Sequence, residues 1–180
     1  FRSEEAERDV DIEHRAPRIG LGQPAAQHRS EHGRHHDAEA DRDERKTNAR
    51  SCTLRIRSGG QVALLAGDIE KPQELALLAR EGEGLHAQVL LAPHHGSGTS
   101  STAAFLDAVA PEWALFQVGY RNRYRHPKAE VVERYRARGI HLQRSDEAGA
   151  VRIDSSPSLR VHAYRCEQRR YWRPAHCVQD

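Results

Sequence analysis

The sequence predicts an α/β fold, with parallel strands joined by helical crossovers and a ligand edge at the strand C-termini. Three observations predict it. Residues 62–66 form an apolar run that stops at Gly67-Asp68, and residues 87–92 form a second that stops at Pro93-His94-His95-Gly96-Ser97. A helix-like segment separates the two runs. Strands joined by a helix lie parallel, so their C-terminal ends share one sheet edge, where open α/β sheets bind ligands. A carboxylate and two imidazoles delivered to one edge make a candidate metal site.

Taken in order, residues 1–45 are of another kind. Large apolar residues are limited to Phe1, Val10, Ile12, Ile19 and Leu21 among Arg, Glu, Asp, His and Ala. Such a stretch buries too little apolar area to offset its ordering entropy, so a disordered or loosely helical segment is expected. Its histidines, among them His28, His32, His35 and His36, show no ligand spacing, and His-rich tracts often bind metal only adventitiously. The change at Lys46 is abrupt, which raises the expectation that residues 1–45 come from an out-of-frame or misassembled reading.

From residue 51 the pattern turns regular. Cys52, Leu54 and Ile56 alternate with Thr53, Arg55 and Arg57, which predicts a half-buried strand. Ser58-Gly59-Gly60 predicts a hairpin turn, and residues 61–66 a return strand buried on both faces. Gly67 permits a tight turn before Asp68. Pro72 opens a helix that Gly82 and Gly84 end. Residues 89–92 form the next strand. Ser100, Ser101 and Thr102 are alternative N-caps for a helix over residues 103–109. A strand over residues 113–118 leads to a basic loop ending at Pro127. A helix to Arg138 follows, with Val131, Val132 and Tyr135 on one face, then three short strands. The order is β-β-α-β-α-β-α-β-β-β. Residues 46–165 form the domain, and residues 166–180 a basic, irregular tail.

The 180 residues suffice for one domain with a core, although 37% hydrophobic content is low. A net charge of +2 gives no global attraction to nucleic acid. Cys52, Cys166 and Cys177 are odd in number and lack paired spacing, so plain thiols are expected. No apolar run reaches the ~20 residues of a membrane span and no signal peptide is visible.

Each candidate residue has a chemical reason. Asp68, at a strand end, suits a metal ligand; the alternative is a turn or N-cap aspartate. Neighbouring side chains on extended backbone diverge, so one of His94 and His95 is expected as a ligand and the other as a further contact, without the sequence deciding which. Gly96 and Ser97 offer N–H groups to a phosphate. Arg121, Asn122, Arg123, Tyr124 and Arg125 make a basic loop whose arginines suit phosphates, and Tyr120 and Tyr124 suit stacking on unpaired bases. The alternative is a solvated charge run. His126 is a third ligand or a general acid.

The segments N-A-R-S-C-T-L-R-I, L-L-A-G-D-I-E, L-L-A-P-H-H-G-S-G-T-S-S and Q-V-G-Y-R-N-R-Y-R-H-P resemble the C-terminal part of the metallo-β-lactamase-fold domain of the ComEC family. These are membrane channel proteins that internalise DNA during bacterial competence. GD and HHGS alone fit the wider metallohydrolase superfamily; R-N-R-Y-R-H-P narrows the match. The resemblance implies the C-terminal half of an αββα sandwich, the first half with its own sheet being absent from this chain. It implies two divalent ions, Mn²⁺ or Zn²⁺, bridged by Asp68 and serving hydrolysis of a DNA phosphodiester, with Asp68, His95 and His126 as catalytic residues. The implied partners are DNA, single-stranded or the non-imported strand, and the membrane channel portion of the same protein, with no small-molecule cofactor. The implied setting is a soluble domain of a bacterial inner-membrane protein. The family's upstream H-x-H-x-D-H loop does not occur here, so weak metal binding and poor activity are expected of this chain. Two alternatives stay open: another hydrolase of the superfamily, and a noncatalytic single-stranded DNA-binding module.

Overall fold

The computed structural model describes residues 11–15 and 47–168. Strand β1 is Asp11–Arg15, followed by β2, Thr53–Ser58, and β3, Gln61–Leu65. Helix α1 is Lys71–Glu81, β4 is Val89–Leu91, α2 is Ala103–Val109 and β5 is Trp113–Phe116. Helix α3 is Ala129–Arg136 and β6 is His141–Arg144. One-turn helices α4, Ser145–Ala148, and α5, Tyr164–Glu167, flank β7, Val151–Asp154, and β8, Arg160–Ala163.

Six strands make one mixed sheet in the order β1-β2-β3-β4-β5-β6, and β7 and β8 make a second, two-stranded one. The pairs β1–β2 and β2–β3 are antiparallel, and β3 to β6 run parallel. Gly59 and Gly60, both with positive φ, form the two-residue turn between β2 and β3. The order read from residue 51 onward is the observed one, with α4 and α5 added.

Residues 1–45 are expected to be disordered or loosely helical; Asp11–Arg15 within them is instead the strand β1, paired along the outer edge of β2. An open edge carries unpaired N–H and C=O groups that a passing segment can satisfy through its backbone alone, whatever its composition. The rest of that segment and the tail beyond residue 168 lie outside the described residues. The start of the expected irregular tail is the helix α5. Cys166 is disulfide-bonded, whereas Cys52 is a free, exposed thiol. This corrects the expectation of three plain thiols; an odd count without paired spacing concealed the bond.

The three crossovers step from β3 to β6 in one direction, and α1, α2 and α3 pack on one face of the sheet. Leu64, Leu90, Ala114 and Phe116 face them and pack with Leu77, Phe105, Leu106, Val109, Val131 and Tyr135. The other face is different. Its residues, including Ile56, Leu65, Leu91 and Leu115, line an apolar groove of about 560 Å³, whose far wall is Ile153 and Leu159 of the β7–β8 hairpin. Two expectations are corrected here. Only Leu64 of β3 is fully buried, because the hairpin covers the second face incompletely. In β2 the polar side is the buried one: Thr53 and Arg55 face the helices, while Leu54 and Ile56 are half-buried. The Arg55 guanidinium is accommodated by donating to the His86 carbonyl at 3.0 Å.

A buried carboxylate ties the helices to the loop after β4. Glu74 of α1 is fully buried. It accepts from the backbone N–H of Ser101 at 2.5 Å and of Thr102 at 2.9 Å, and from the Thr102 hydroxyl at 2.7 Å. Thr102 in turn caps α2 by accepting from Phe105 N, so it is the cap among the three candidates. From α3, the Tyr135 hydroxyl pairs with Ser101 Oγ at 2.9 Å, and Arg134 donates to the Ser100 and Ser101 carbonyls. Burial pushes the Tyr135 phenol well above its ordinary pKa. Removing the Glu74 carboxylate strands buried donors, each costing about 1–3 kcal/mol. We therefore expect Glu74→Ala to lose about 2–4 kcal/mol of stability in urea unfolding, with a smaller loss in Glu74→Gln, which keeps one acceptor.

Candidate functional site

Three consecutive parallel strands deliver the candidate residues to one edge: β3 leads to Asp68, β4 to His94 and His95, and β5 to the loop carrying His126. The turn at Thr47–Arg50 packs beside them, and Ser51 Oγ accepts from the Asp68 N–H at 3.3 Å.

The histidine loop is strained. Pro93–Gly96 forms one tight turn in which His94 (φ 48°, ψ 42°) and His95 (φ 55°, ψ 21°) are both left-handed. Each such residue costs about 1–2 kcal/mol and persists only where its surroundings over-determine it. Here His94 N donates to Gly67 O, Ser97 N to His94 O and Lys128 N to Gly96 O, all at 2.9 Å. A Cβ on Gly96, itself at φ 79°, would lie 2.6 Å from Pro127 Cβ and 2.9 Å from the Phe116 ring. The two imidazoles do diverge, although the expected reason, extended backbone, does not hold.

His95 faces Asp68. Its Nδ1 lies 2.8 Å from the Gln117 carbonyl, which can only accept, so Nδ1 carries the proton. In the neutral imidazole Nε2 then carries the lone pair, 3.4 Å from Asp68 Oδ1. Two acceptors facing each other at that distance need a proton or a cation between them. Two donors about 2.1 Å from one tetrahedral ion lie roughly 3.4 Å apart, so this pair fits a shared ion. Among the described residues, no three His, Cys, Asp or Glu side chains converge closely enough to hold a metal together. The pair fits as part of a ligand set.

His94 faces the other way, toward Glu70 and Asn48, at 3.3 Å from each. Its ring also lies 6.1 Å from that of His126. Neither Glu70 nor Asn48 was singled out from the sequence. Glu70 stands two residues after Asp68, a spacing that signals only a turn, and Asn48 reaches the site from outside the strands.

The basic loop divides into a surface and a frame. Tyr120, Arg121, Arg123, Tyr124 and Arg125 are exposed, with the Arg121 and Arg123 guanidinium groups over the Tyr120 and Tyr124 rings. Tyr124 stacks on His126, with centroids 5.8 Å apart. Asn122, by contrast, belongs to the frame: its side chain accepts from His126 N and donates to His126 O, both at 2.8 Å. Ser97 is buried within the histidine turn, its hydroxyl 3.1 Å from that of Thr99. His126 Nδ1 is buried without a hydrogen-bond partner. Its burial, then the Lys128 ammonium and the two other imidazoles, hold its pKa below the ordinary imidazole range.

Two outcomes follow from this geometry. Gly96→Ala combines backbone strain with overlap against buried neighbours, so thermal unfolding should show a loss of about 2–4 kcal/mol. His126 has a lower pKa folded than unfolded, so between the two values the unfolded chain binds more protons. Stability then rises with pH through that window, is full above about 6.5, and falls as pH drops through the native pKa. Acid unfolding followed by His126 ring NMR checks this; in His126→Gln that part of the acid sensitivity disappears.

No protein-family model matches the chain. Over 106 residues, 59% of the chain, it is 45% identical to "Competence protein ComA" of Neisseria gonorrhoeae, of which it covers 15%. It is 32% identical over 104 residues to "ComE operon protein 3" of Bacillus subtilis, covering 58% of the chain and 13% of that protein. It is 30% identical over 110 residues to "Recombination protein 2" of Haemophilus influenzae, covering 61% of the chain and 14% of that protein. The chain therefore spans about one seventh of the length of these curated relatives. It is similar over three fifths of its own length to one segment of a competence-related group of proteins.

Proposed function

We propose that this chain is part of a domain that acts on DNA during its uptake, as a metal-dependent phosphodiester hydrolase. The observation that carries the reading is the facing pair Asp68 Oδ1 and His95 Nε2, set beside an exposed row of arginines and tyrosines. The names of the relatives, in competence and recombination, supply the biological setting. In this reading Asp68 and His95 hold part of a divalent metal site, for Mn²⁺ or Zn²⁺. A metal bound there supplies a hydroxide nucleophile at neutral pH and charge neutralisation at the phosphate. Arg121, Arg123 and Arg125 bind the strand through its phosphates, and Tyr120 and Tyr124 stack on unpaired bases. His126, neutral near pH 7 and held by Asn122, is placed to move a proton at the leaving oxygen.

The partner in this reading is single-stranded DNA or the strand that is not imported. The chain belongs to a longer protein whose other parts form a channel in a bacterial inner membrane. No helix among the described residues is long and apolar enough to cross a membrane. In this reading the fold is a partial αββα sandwich of the metallo-β-lactamase kind; the mixed sheet with helices on one face and an apolar groove on the other supports it. A second reading, a noncatalytic single-strand-binding module, is favoured by the exposed row of arginines and tyrosines, which can hold a strand without a metal.

Incubating the purified chain with end-labelled single-stranded DNA and Mn²⁺, beside Asp68→Ala and a chelator control, tests the proposal. The expected result is slow cleavage that falls at least tenfold in the variant and stops with chelator, while binding persists. Cleavage unchanged in Asp68→Ala, or binding without any cleavage, overturns the hydrolase reading; the latter establishes the binding module.

A further inference from the structure

The neighbouring histidines differ in what their ring nitrogens touch. Both nitrogens of His94 are engaged. Nδ1 lies 3.3 Å from Glu70 Oε1 and 3.4 Å from Thr99 Oγ1, and Nε2 lies 3.3 Å from Asn48 Nδ2. Asn48 Nδ2 also lies 3.3 Å from Glu70 Oε1.

These contacts close on themselves chemically. An ionised carboxylate only accepts, so the Asn48 atom beside it is the amide nitrogen. That nitrogen only donates, so His94 Nε2 accepts from it and carries no proton. A neutral imidazole has one proton, which therefore sits on Nδ1, and Nδ1–H points at the Glu70 carboxylate. Each assignment forces the next. Carboxylate–imidazole pairs of this kind set which nitrogen of a site histidine presents its lone pair.

The structure assigns Glu70 and Asn48 as the positioning pair that holds His94 as the Nδ1–H tautomer with its Nε2 lone pair already occupied, leaving His95 to join Asp68 on a metal. The inference rests on the metal site of the proposed function for its second half only. Glu70 is also the N-cap of α1, where its backbone N–H donates to Gln73 Oε1 in a capping box, so the residue has a helix-end role to separate from this one. Asn48 lies in the short turn before β2 and has no place in α1.

The test is side-chain ¹⁵N NMR of the histidines in the full chain, first without metal and then with Zn²⁺ alone. Without metal, His94 is expected to show a protonated Nδ1 and a bare Nε2. Glu70→Gln should convert it to a mixture of tautomers while the His95 signals and the backbone spectrum stay in place, a change that loss of a helix-end contact does not produce. With Zn²⁺, His95 Nε2 should shift and His94 Nε2 should not; in Asn48→Ala both should shift. Where Glu70→Gln unfolds the chain, Asn48→Ala provides the same comparison from outside the helix. A proton on His94 Nε2 in the unaltered chain, or a Zn²⁺ shift of His94 equal to that of His95, overturns the assignment. Zn²⁺ that moves neither ring sinks the metal reading of the proposed function, and the metal-free tautomer then decides the His94 assignment by itself.

Discussion

The Glu74 carboxylate is the constraint on which the rest of the site depends. It is buried in the helical layer yet accepts three hydrogen bonds from Thr102, the N-cap of the next helix, and from Ser101 before it. Burying a carboxylate is costly unless its oxygens are fully used, so its position specifies that of its donors. The loop from β4 to α2 is therefore fixed at its far end as firmly as at its strand end. Arg134 and Tyr135 bring α3 to the same point. With both ends fixed, the residues between have little freedom, and the left-handed histidines lie among them.

That restricted loop explains how two adjacent histidines serve different neighbours. A strained turn, closed by Gly96 against Phe116 and Pro127, holds both histidines in left-handed backbone. His95 is oriented by a backbone carbonyl of the next strand, and His94 by side chains from before β2 and after β3. Orientation by backbone resists substitution, whereas orientation by side chains can be tuned by mutation. The basic loop follows the same division: exposed arginines and tyrosines form its surface, and Asn122 and Lys128 hold its course.

The two faces of the sheet carry different information. On the helical face, strand residues pack against all three helices. On the other, apolar residues from β2 to β5 face, among the described residues, a two-stranded hairpin across a groove. The apolar alternation of β2 points into that groove, while a threonine and an arginine are buried beneath the helices. A strand's buried side is set by what covers it, and here the helices cover the side that carries Thr53 and Arg55.

Much of this was legible in the chain. Gly-Gly between two runs rich in apolar residues set the hairpin. Apolar runs ending in Gly67-Asp68 and His94-His95 put the candidate residues on one edge, because strands joined through a helix run parallel and end on the same side. Tertiary structure alone decided which side of β2 is buried, that Asp11–Arg15 joins the sheet edge, and that Glu70 and Asn48 reach His94. Periodicity and strand-end position are local properties, written residue by residue. Which polar groups meet is decided between elements distant in sequence, where one carboxylate or carbonyl within reach determines the protonation and direction of its neighbour.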